Sequence, residues 1–155
     1  MPPKQKFHVL FVCLGNACRS PMAEAVARKL ASDIIEPSSA GLYPFGSLAG
    51  HTEQTLIANG YSIAGLSSKP LRRDSLESAD LIINMTGRSL DPLFDFAGSA
   101  DPSLAQRVQD WNIEDPYGAP PATYQRILEE LESRVLSLAA RLRPSQPPSL
   151  SQPIH

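Results

Sequence analysis

Few cysteines and a nearly balanced charge set the first limits on this chain. Only two cysteines, Cys13 and Cys18, occur in 155 residues, which excludes a disulfide-framework protein and favours a reducing compartment. The net charge of −2 gives no basic excess of the kind that binds nucleic acid or a membrane surface. No apolar run approaches the roughly 20 residues of a spanning helix, or the make-up of a signal peptide. We therefore expect a cytoplasmic protein that binds neither nucleic acid nor membranes.

The stretch from residue 7 to residue 21 combines a strand, a short loop and the start of a helix. Its first part is a β-type run of apolar and aromatic residues, and its loop contains Gly15 and Asn16. Ser20 and Pro21 then predict a helix N-cap followed by the first helical residue. A strand that feeds a tight loop and opens a helix aims backbone N–H groups at an anion. This arrangement predicts a phosphate-handling active site.

The loop carries the residue types that phosphoryl transfer to sulfur requires. Only a thiolate attacks, and N–H donors at a helix start favour the ionised form of Cys13. Arg19 offers a planar fork that binds two phosphoryl oxygens at once. Gly15 permits close backbone approach and Asn16 tolerates a left-handed conformation. The Ser20 hydroxyl could cap the helix, bond the Cys13 sulfur, or do both. The alternative, a buried structural cysteine, does not account for these residues occurring together in order.

Cleavage of a phosphate ester also needs a proton donor for the leaving oxygen. No histidine is well placed by sequence, and three aspartates that each precede a proline compete for the role: Asp91, Asp101 and Asp115. An Asp-Pro pair ordinarily marks a turn or a helix start. Asp115 is favoured because it lies in a tight loop before the last helix, where Tyr117 supplies a ring to flank a substrate.

Helical and strand patterns alternate along the rest of the chain. Predicted helices cover residues 20–32, 47–59 and 123–142, with weaker helical patterns before residue 80 and over 88–105; strands are predicted from residues 7 and 34, over 81–85 and within 107–111. The second strand is predicted to end at 38–41. Strands that alternate with helices predict an α/β fold with a mainly parallel sheet. Residues 42–46, with Tyr43 and Phe45, form either a plain surface loop or an aromatic wall of the pocket.

The motif over residues 12–24 resembles the phosphate-binding signature of the low-molecular-weight protein tyrosine phosphatases. Residues 39–41, 79–85 and 115–118 match further landmarks of that family in the same order. The resemblance implies a three-layer α/β/α fold with a four-stranded parallel sheet, and a phosphate-binding loop between the first strand and first helix. It implies a phosphatase domain over residues 1–143, and the tail 144–155, rich in Pro, Ser and Gln, is predicted to be disordered.

The resemblance also implies a two-step mechanism without metal or other cofactor. By match of motif, Cys13 is the nucleophile that forms a phosphocysteine, Arg19 binds the phosphoryl group, and Asp115 is the acid and then the base. Partners would be phosphorylated protein substrates, with inorganic phosphate as product inhibitor and the chain a monomer or weak dimer. Cys18 matches a second loop cysteine that can form a disulfide with the nucleophile. The remaining expected phosphate- and substrate-binding residues are Leu14, Gly15, Asn16, Ala17, Cys18, Ser20, Tyr43, Phe45 and Tyr117.

Two other activities share this loop. Protein-arginine phosphatases resemble the chain around residues 67–71 and 115–118, but they carry threonine at the position of Ala17. Many family members also have a histidine near the position of Leu66. Thioredoxin-coupled arsenate reductases need further cysteines after the third strand, and this chain has none after Cys18. We therefore expect a phosphotyrosine phosphatase, with arginine phosphatase as the alternative and arsenate reductase less favoured.

Overall fold

A four-stranded sheet forms the centre of the computed structural model, which describes residues 6–96 and 103–144. Every strand pair is parallel and the strand order is β2-β1-β3-β4. The strands are β1 Phe7–Cys13, β2 Ile35–Gly41, β3 Leu81–Asn84 and β4 Val108–Asp110. Because strands in a parallel sheet run the same way, all four carboxyl ends meet at one edge, and Cys13 lies there.

Alternate residues of β1 enter two separate hydrophobic clusters. Val9 and Phe11 pack on one face of the sheet, and Leu10 and Val12 pack on the other. All four are fully buried, which explains why the β1 sequence is a continuous apolar run rather than an alternating one. The predicted three-layer α/β/α fold with a parallel sheet is therefore confirmed.

Helices cover the sheet on both sides. The helices α1, α2 and α6 contribute to the first cluster, and α3, α4 and α5 lie on the second side. Their bounds are α1 Arg19–Leu30, α2 Gly50–Ala58, α3 Arg73–Ser78, α4 Asp91–Phe96, α5 Ser103–Gln106 and α6 Pro121–Leu142. The side chain of Arg143, directly after α6, makes two hydrogen bonds to Asp33 after α1, at 2.8 and 2.9 Å. This pair lowers the pKa of Asp33.

The predicted end of the second strand at residues 38–41 is confirmed, because β2 pairs with β1 as far as Gly41. Two other sequence-based assignments were wrong for identifiable reasons. The second helix begins at Gly50 rather than Ser47, because the Ala49 N–H bonds the Ala17 carbonyl. Ser20 is not the N-cap of α1: Cys18 occupies that position without a side-chain cap, and Ser20 lies inside the helix.

Some predictions fall outside the described residues. Most of the tail predicted to be disordered, the middle of the 88–105 segment, and Asp101 as a candidate acid are among them. The domain boundary at residue 143 stays a prediction. Within the residues that the structure does describe, no helix is both long and apolar enough to cross a membrane.

Candidate active site

The loop between β1 and α1 is held from outside by the segment that follows β2. Four backbone N–H groups of that segment donate to four carbonyls of the loop, at 2.8–3.1 Å. The pairs are Leu42 to Cys13, Tyr43 to Leu14, Phe45 to Gly15, and Ala49 to Ala17. Thr52 Oγ1 adds a second bond to the Ala17 carbonyl at 2.8 Å. The loop carbonyls are therefore fixed outward.

Outward carbonyls turn the loop's N–H groups inward. In a planar trans peptide the carbonyl of one residue and the N–H of the next point in opposite directions. The N–H groups of Leu14, Gly15, Asn16 and Cys18 consequently face the inside of the loop, and none of them donates to another group of the described protein. A cup of converging, unused donors is an anion-binding arrangement.

Two residues of the loop have the backbone properties expected from the sequence. Asn16 has φ of 48°, the only positive φ at a non-glycine residue in the described chain. An asparagine tolerates this left-handed conformation at lower cost than most residues. A Cβ at Gly15 would lie 2.9 Å from the Phe45 ring, so the absence of a side chain allows that ring to lie directly on the loop.

Among the described side chains, the Ser20 hydroxyl is the hydrogen-bond partner of the Cys13 sulfur, at 2.9 Å. Asn16 Nδ2 donates to the same hydroxyl at 2.7 Å, and Asn16 Oδ1 accepts the Lys69 N–H at 2.8 Å. Cys13, Asn16 and Ser20 are all buried. The Ser20 hydroxyl therefore contacts the sulfur rather than capping the helix.

The Arg19 guanidinium is buried and only partly paired. One terminal nitrogen, Nη1, donates to the carbonyls of Met85 and Ile113, at 2.5 and 3.1 Å. Arg19 Nε has no hydrogen-bond partner among the described residues, although it is inaccessible to solvent. A buried unpaired N–H of a charged group is costly, so Nε is a donor available to a bound anion.

The carboxylate of Asp115 lies beside the guanidinium. Asp115 Oδ2 is 3.5 Å from Arg19 Nη2, and Oδ1 accepts the Tyr117 N–H at 3.1 Å. One carboxylate oxygen is therefore held by the backbone of Asp115's own loop, at Tyr117, while the other lies beside the Arg19 guanidinium. Asp91, the competing candidate, lies at the start of α4 and lines a different cavity.

A small cavity of about 10 Å³ brings most of the predicted site residues together. It is lined by Cys13, Gly15, Ala17, Cys18, Arg19, Phe45, Asp115 and Tyr117. Phe45 and Tyr117 meet edge to face with ring centroids 5.0 Å apart. The Tyr43 ring instead lies near the Arg88 guanidinium, 5.7 Å from centroid to cation, and does not line this cavity. Of the two rings in residues 42–46, Phe45 lines this cavity and Tyr43 does not, and a role of Phe45 in substrate binding stays a prediction.

A larger cavity of about 430 Å³ lies beside β3 and β4. It includes Asn84, Arg88, Asp110 and Trp111 but none of Cys13, Arg19 and Asp115. The smaller cavity, in contrast, combines a cysteine, an arginine and a carboxylate, which makes it the candidate active site among the described residues. No cluster of metal-ligating side chains occurs in the part of the chain that is described.

The two loop cysteines differ in their surroundings, and both are free thiols. Burial raises the pKa of the Cys18 thiol; hydrogen bonds from Thr52 and Tyr124 partly oppose this, and the charges of Asp115 and Cys13 raise it further. Cys18 Sγ lies 3.6 Å from Tyr124 Oη. Cys18 is therefore a buried thiol, favoured in its neutral form, that packs against Tyr124 of α6.

Sequence reasoning missed the residues that support the loop from behind. Thr52, Ser68 and the backbone of Lys69 each bond one loop residue. No pattern in the sequence indicated these contacts, because they join segments far apart in the chain.

Comparison with known proteins identifies the family. The family model described as low molecular weight phosphotyrosine protein phosphatase matches residues 8–147. The chain belongs to this family. The resemblance stated from the motif over residues 12–24 is thereby confirmed, and the four-stranded parallel sheet with its helices is consistent with the fold of this family.

Individual relatives of this phosphatase family carry different activities in their names. The chain is 34% identical, over 90% of its length and 99% of the relative's, to a protein-arginine-phosphatase of Geobacillus stearothermophilus. It is 35% identical to the low molecular weight protein-tyrosine-phosphatase YfkJ of Bacillus subtilis, over 70% and 80% of the two chains. A solved arsenate reductase in the phosphate-binding state superposes with a TM-score of 0.74 at 26% identity, covering 88% of this chain and 99% of that one.

Proposed function

We propose that this protein is a cysteine-dependent protein phosphatase that hydrolyses phosphotyrosine through a phosphocysteine intermediate. The observation that carries the proposal is the buried Nε of Arg19, which lacks a partner among the described residues, on a side chain that lines the same small cavity as Cys13 and Asp115. A phosphoryl oxygen would satisfy that donor together with the inward N–H groups of the loop. Family membership supports the same reaction class.

In the first step the Cys13 thiolate attacks phosphorus and the bond from phosphorus to the ester oxygen breaks. The Ser20 hydroxyl stabilises the sulfur before attack. Arg19 Nε and the loop N–H groups bind the non-bridging oxygens, where charge redistributes in the transition state. Asp115, beside Arg19, gives its proton to the leaving phenolic oxygen.

In the second step the phosphocysteine is hydrolysed. Asp115, now ionised, takes a proton from a water molecule, whose oxygen attacks phosphorus as the bond from phosphorus to sulfur breaks. Cys13 leaves as the thiolate, again stabilised by Ser20. Inorganic phosphate is released, and the same donors that hold the substrate make it a product inhibitor. Asp115 is then protonated and Cys13 is a thiolate, as at the start, so the proposed cycle closes without a cofactor.

Phosphotyrosine is proposed as the substrate because two rings flank the opening to the loop. Phe45 and Tyr117 are 55% and 60% exposed, and they meet at the same cavity. They are 5.0 Å apart, so a substrate ring requires them to separate and can then pack between them. Their packing energy would offset the loss of their mutual contact.

Arginine phosphatase activity is the second candidate, and the relatives favour it. Two relatives named as protein-arginine-phosphatases are 34% and 31% identical to this chain over most of its length. A phosphoarginine side chain would place its planar guanidinium between the same two rings, with Asp115 at the nitrogen that leaves. Ala17 replaces the threonine expected for that branch and leaves no hydroxyl at this position of the cavity.

Turnover of matched phosphopeptides tests these proposals. We expect the wild-type protein to give a higher kcat/KM on a phosphotyrosine peptide than on the same peptide with phosphoarginine. Cys13→Ser should abolish turnover of both, and acid quenching of the wild type should trap phosphate on Cys13. Higher kcat/KM on phosphoarginine would replace the first candidate with the second. Full activity of Cys13→Ser would reject both.

A further inference from the structure

The segment 67–71 lies against the outside of the phosphate loop. Gly41 donates its N–H to the Lys69 carbonyl at 2.9 Å, and Leu71 donates to the Gly41 carbonyl at 2.9 Å. The Lys69 N–H bonds Asn16 Oδ1 at 2.8 Å. These backbone bonds fix the segment to the end of β2 and to the loop, so the side chains that it carries are held in register with both.

Ser68 makes two hydrogen bonds from one hydroxyl. Its Oγ donates to the Gly15 carbonyl at 2.9 Å and accepts the Gly46 N–H at 3.1 Å. Gly15 belongs to the phosphate loop, and Gly46 directly follows Phe45. The hydroxyl therefore joins the phosphate loop to the segment that carries the aromatic wall.

The two ends of this bridge are not equally dependent on Ser68. The Gly15 carbonyl also accepts the Phe45 N–H at 3.1 Å, so it keeps a donor if the hydroxyl is removed. The Gly46 N–H has the Ser68 hydroxyl as its partner. Gly46 has φ of +88°, so the turn after Phe45 has the conformational freedom of glycine. Loss of the hydroxyl should release the turn rather than the loop.

We propose that Ser68 is a positioning residue that determines substrate specificity by fixing the Phe45 wall relative to the phosphate loop. The inference rests on the proposed function, because the wall matters only if an aromatic or planar group enters between Phe45 and Tyr117. Ser68 itself does not line the cavity. Ser68 acts by fixing the distance between the Phe45 ring, which would pack on the substrate, and the N–H groups of the loop, which would hold the phosphate.

Binding to the Cys13→Ser protein separates this role from turnover. Calorimetry would give the Kd of a phosphotyrosine peptide and of inorganic phosphate, with and without Ser68→Ala. We expect Ser68→Ala to raise the Kd of the peptide about five-fold, the effect of losing one net hydrogen bond. The Kd of inorganic phosphate, which does not reach Phe45, should change by less than about two-fold. Ser68→Thr, which keeps a hydroxyl at this half-buried position, should restore peptide binding.

Ser67→Ala is the matched control, because the hydroxyl of Ser67, the residue before Ser68, is exposed and makes no hydrogen bond in the described structure. Equal peptide Kd values for Ser67→Ala and Ser68→Ala would overturn the inference. Equal losses for peptide and inorganic phosphate would also overturn it, because Ser68 would then support the phosphate loop rather than the wall. Wild-type turnover, measured separately, decides the proposed function independently of this result.

Discussion

The Ser20 hydroxyl contacts the Cys13 sulfur at 2.9 Å while it accepts a hydrogen bond from Asn16 Nδ2 at 2.7 Å. Because Asn16 brings its own proton, the single proton of the hydroxyl is left for the sulfur. Asn16 is itself fixed by the Lys69 N–H and by its left-handed backbone. The direction of a proton toward the nucleophile thus depends on a residue more than 50 positions away in the chain.

Removing the Ser20 hydroxyl, and with it the proton directed at the sulfur, should slow the reaction more than it destabilises the protein. A hydrogen bond to a charged group contributes about 1.5–3 kcal/mol, so we expect Ser20→Ala to lower kcat about 10- to 100-fold. The loss should be greatest when sulfur leaves the phosphocysteine, so more intermediate should accumulate in rapid-quench experiments. Ser137→Ala, on the exposed side of α6, is the control. Unchanged kcat in Ser20→Ala would show that the sulfur does not need this donor.

The position of Asp115 predicts a dependence on the leaving group. Asp115→Ala removes the proposed proton donor, so phenyl phosphate, whose leaving group is poor, should lose about 100-fold or more in kcat. The leaving group of p-nitrophenyl phosphate needs less protonation, so kcat on this substrate should fall less. Glu114→Ala is the matched control, because this adjacent carboxylate is paired with Arg126 at 2.9 Å rather than with Arg19. Equal losses on the two substrates would assign the acid to another residue.

The order of strand, loop and helix around Cys13 could be predicted from the sequence because its residues are contiguous. Strand, loop and helix occur in one run, so their order implied Cys13 and Arg19 at the same edge of the sheet. The outside support could not be predicted, since it consists largely of backbone N–H groups such as those of Tyr43 and Lys69. Every non-proline residue has such a donor, so residue type gives no signal. The choice of Asp115 over Asp91 depended on loop context, and only the tertiary fold places it 3.5 Å from Arg19.

The buried thiol of Cys18 predicts a loss of stability in alkali. Its pKa is raised in the folded protein, mainly by burial. The neutral thiol is therefore favoured by folding, and this stabilisation is complete below the unfolded pKa near 8.5 and declines as pH rises above it. Urea unfolding at pH 7.5 and 9.5 should show a larger decrease in the free energy of unfolding for wild type than for Cys18→Ala. Parallel decreases would contradict the prediction.

Gly41 lies against the loop so closely that a single methyl group should disrupt the site. A Cβ at Gly41 would lie 2.8 Å from the Asn16 nitrogen and 2.9 Å from the Leu14 oxygen, both backbone atoms of the loop. Because backbone cannot move aside as a side-chain tip can, Gly41→Ala should shift the loop, at a cost of about 1–3 kcal/mol in the free energy of unfolding. The inward N–H groups would then diverge, so the inhibition constant for inorganic phosphate should rise at least about ten-fold.

Gly50→Ala separates this steric effect from the general effect of replacing glycine. Gly50 is the first residue of α2, and a Cβ there would meet no atom within 4 Å. Alanine is favoured over glycine in a helix, so this variant should keep or slightly increase stability and retain phosphate inhibition. Gly41 has no left-handed φ, so backbone strain does not explain a loss there. If Gly41→Ala binds phosphate as tightly as Gly50→Ala, the end of β2 does not hold the loop in its anion-binding form.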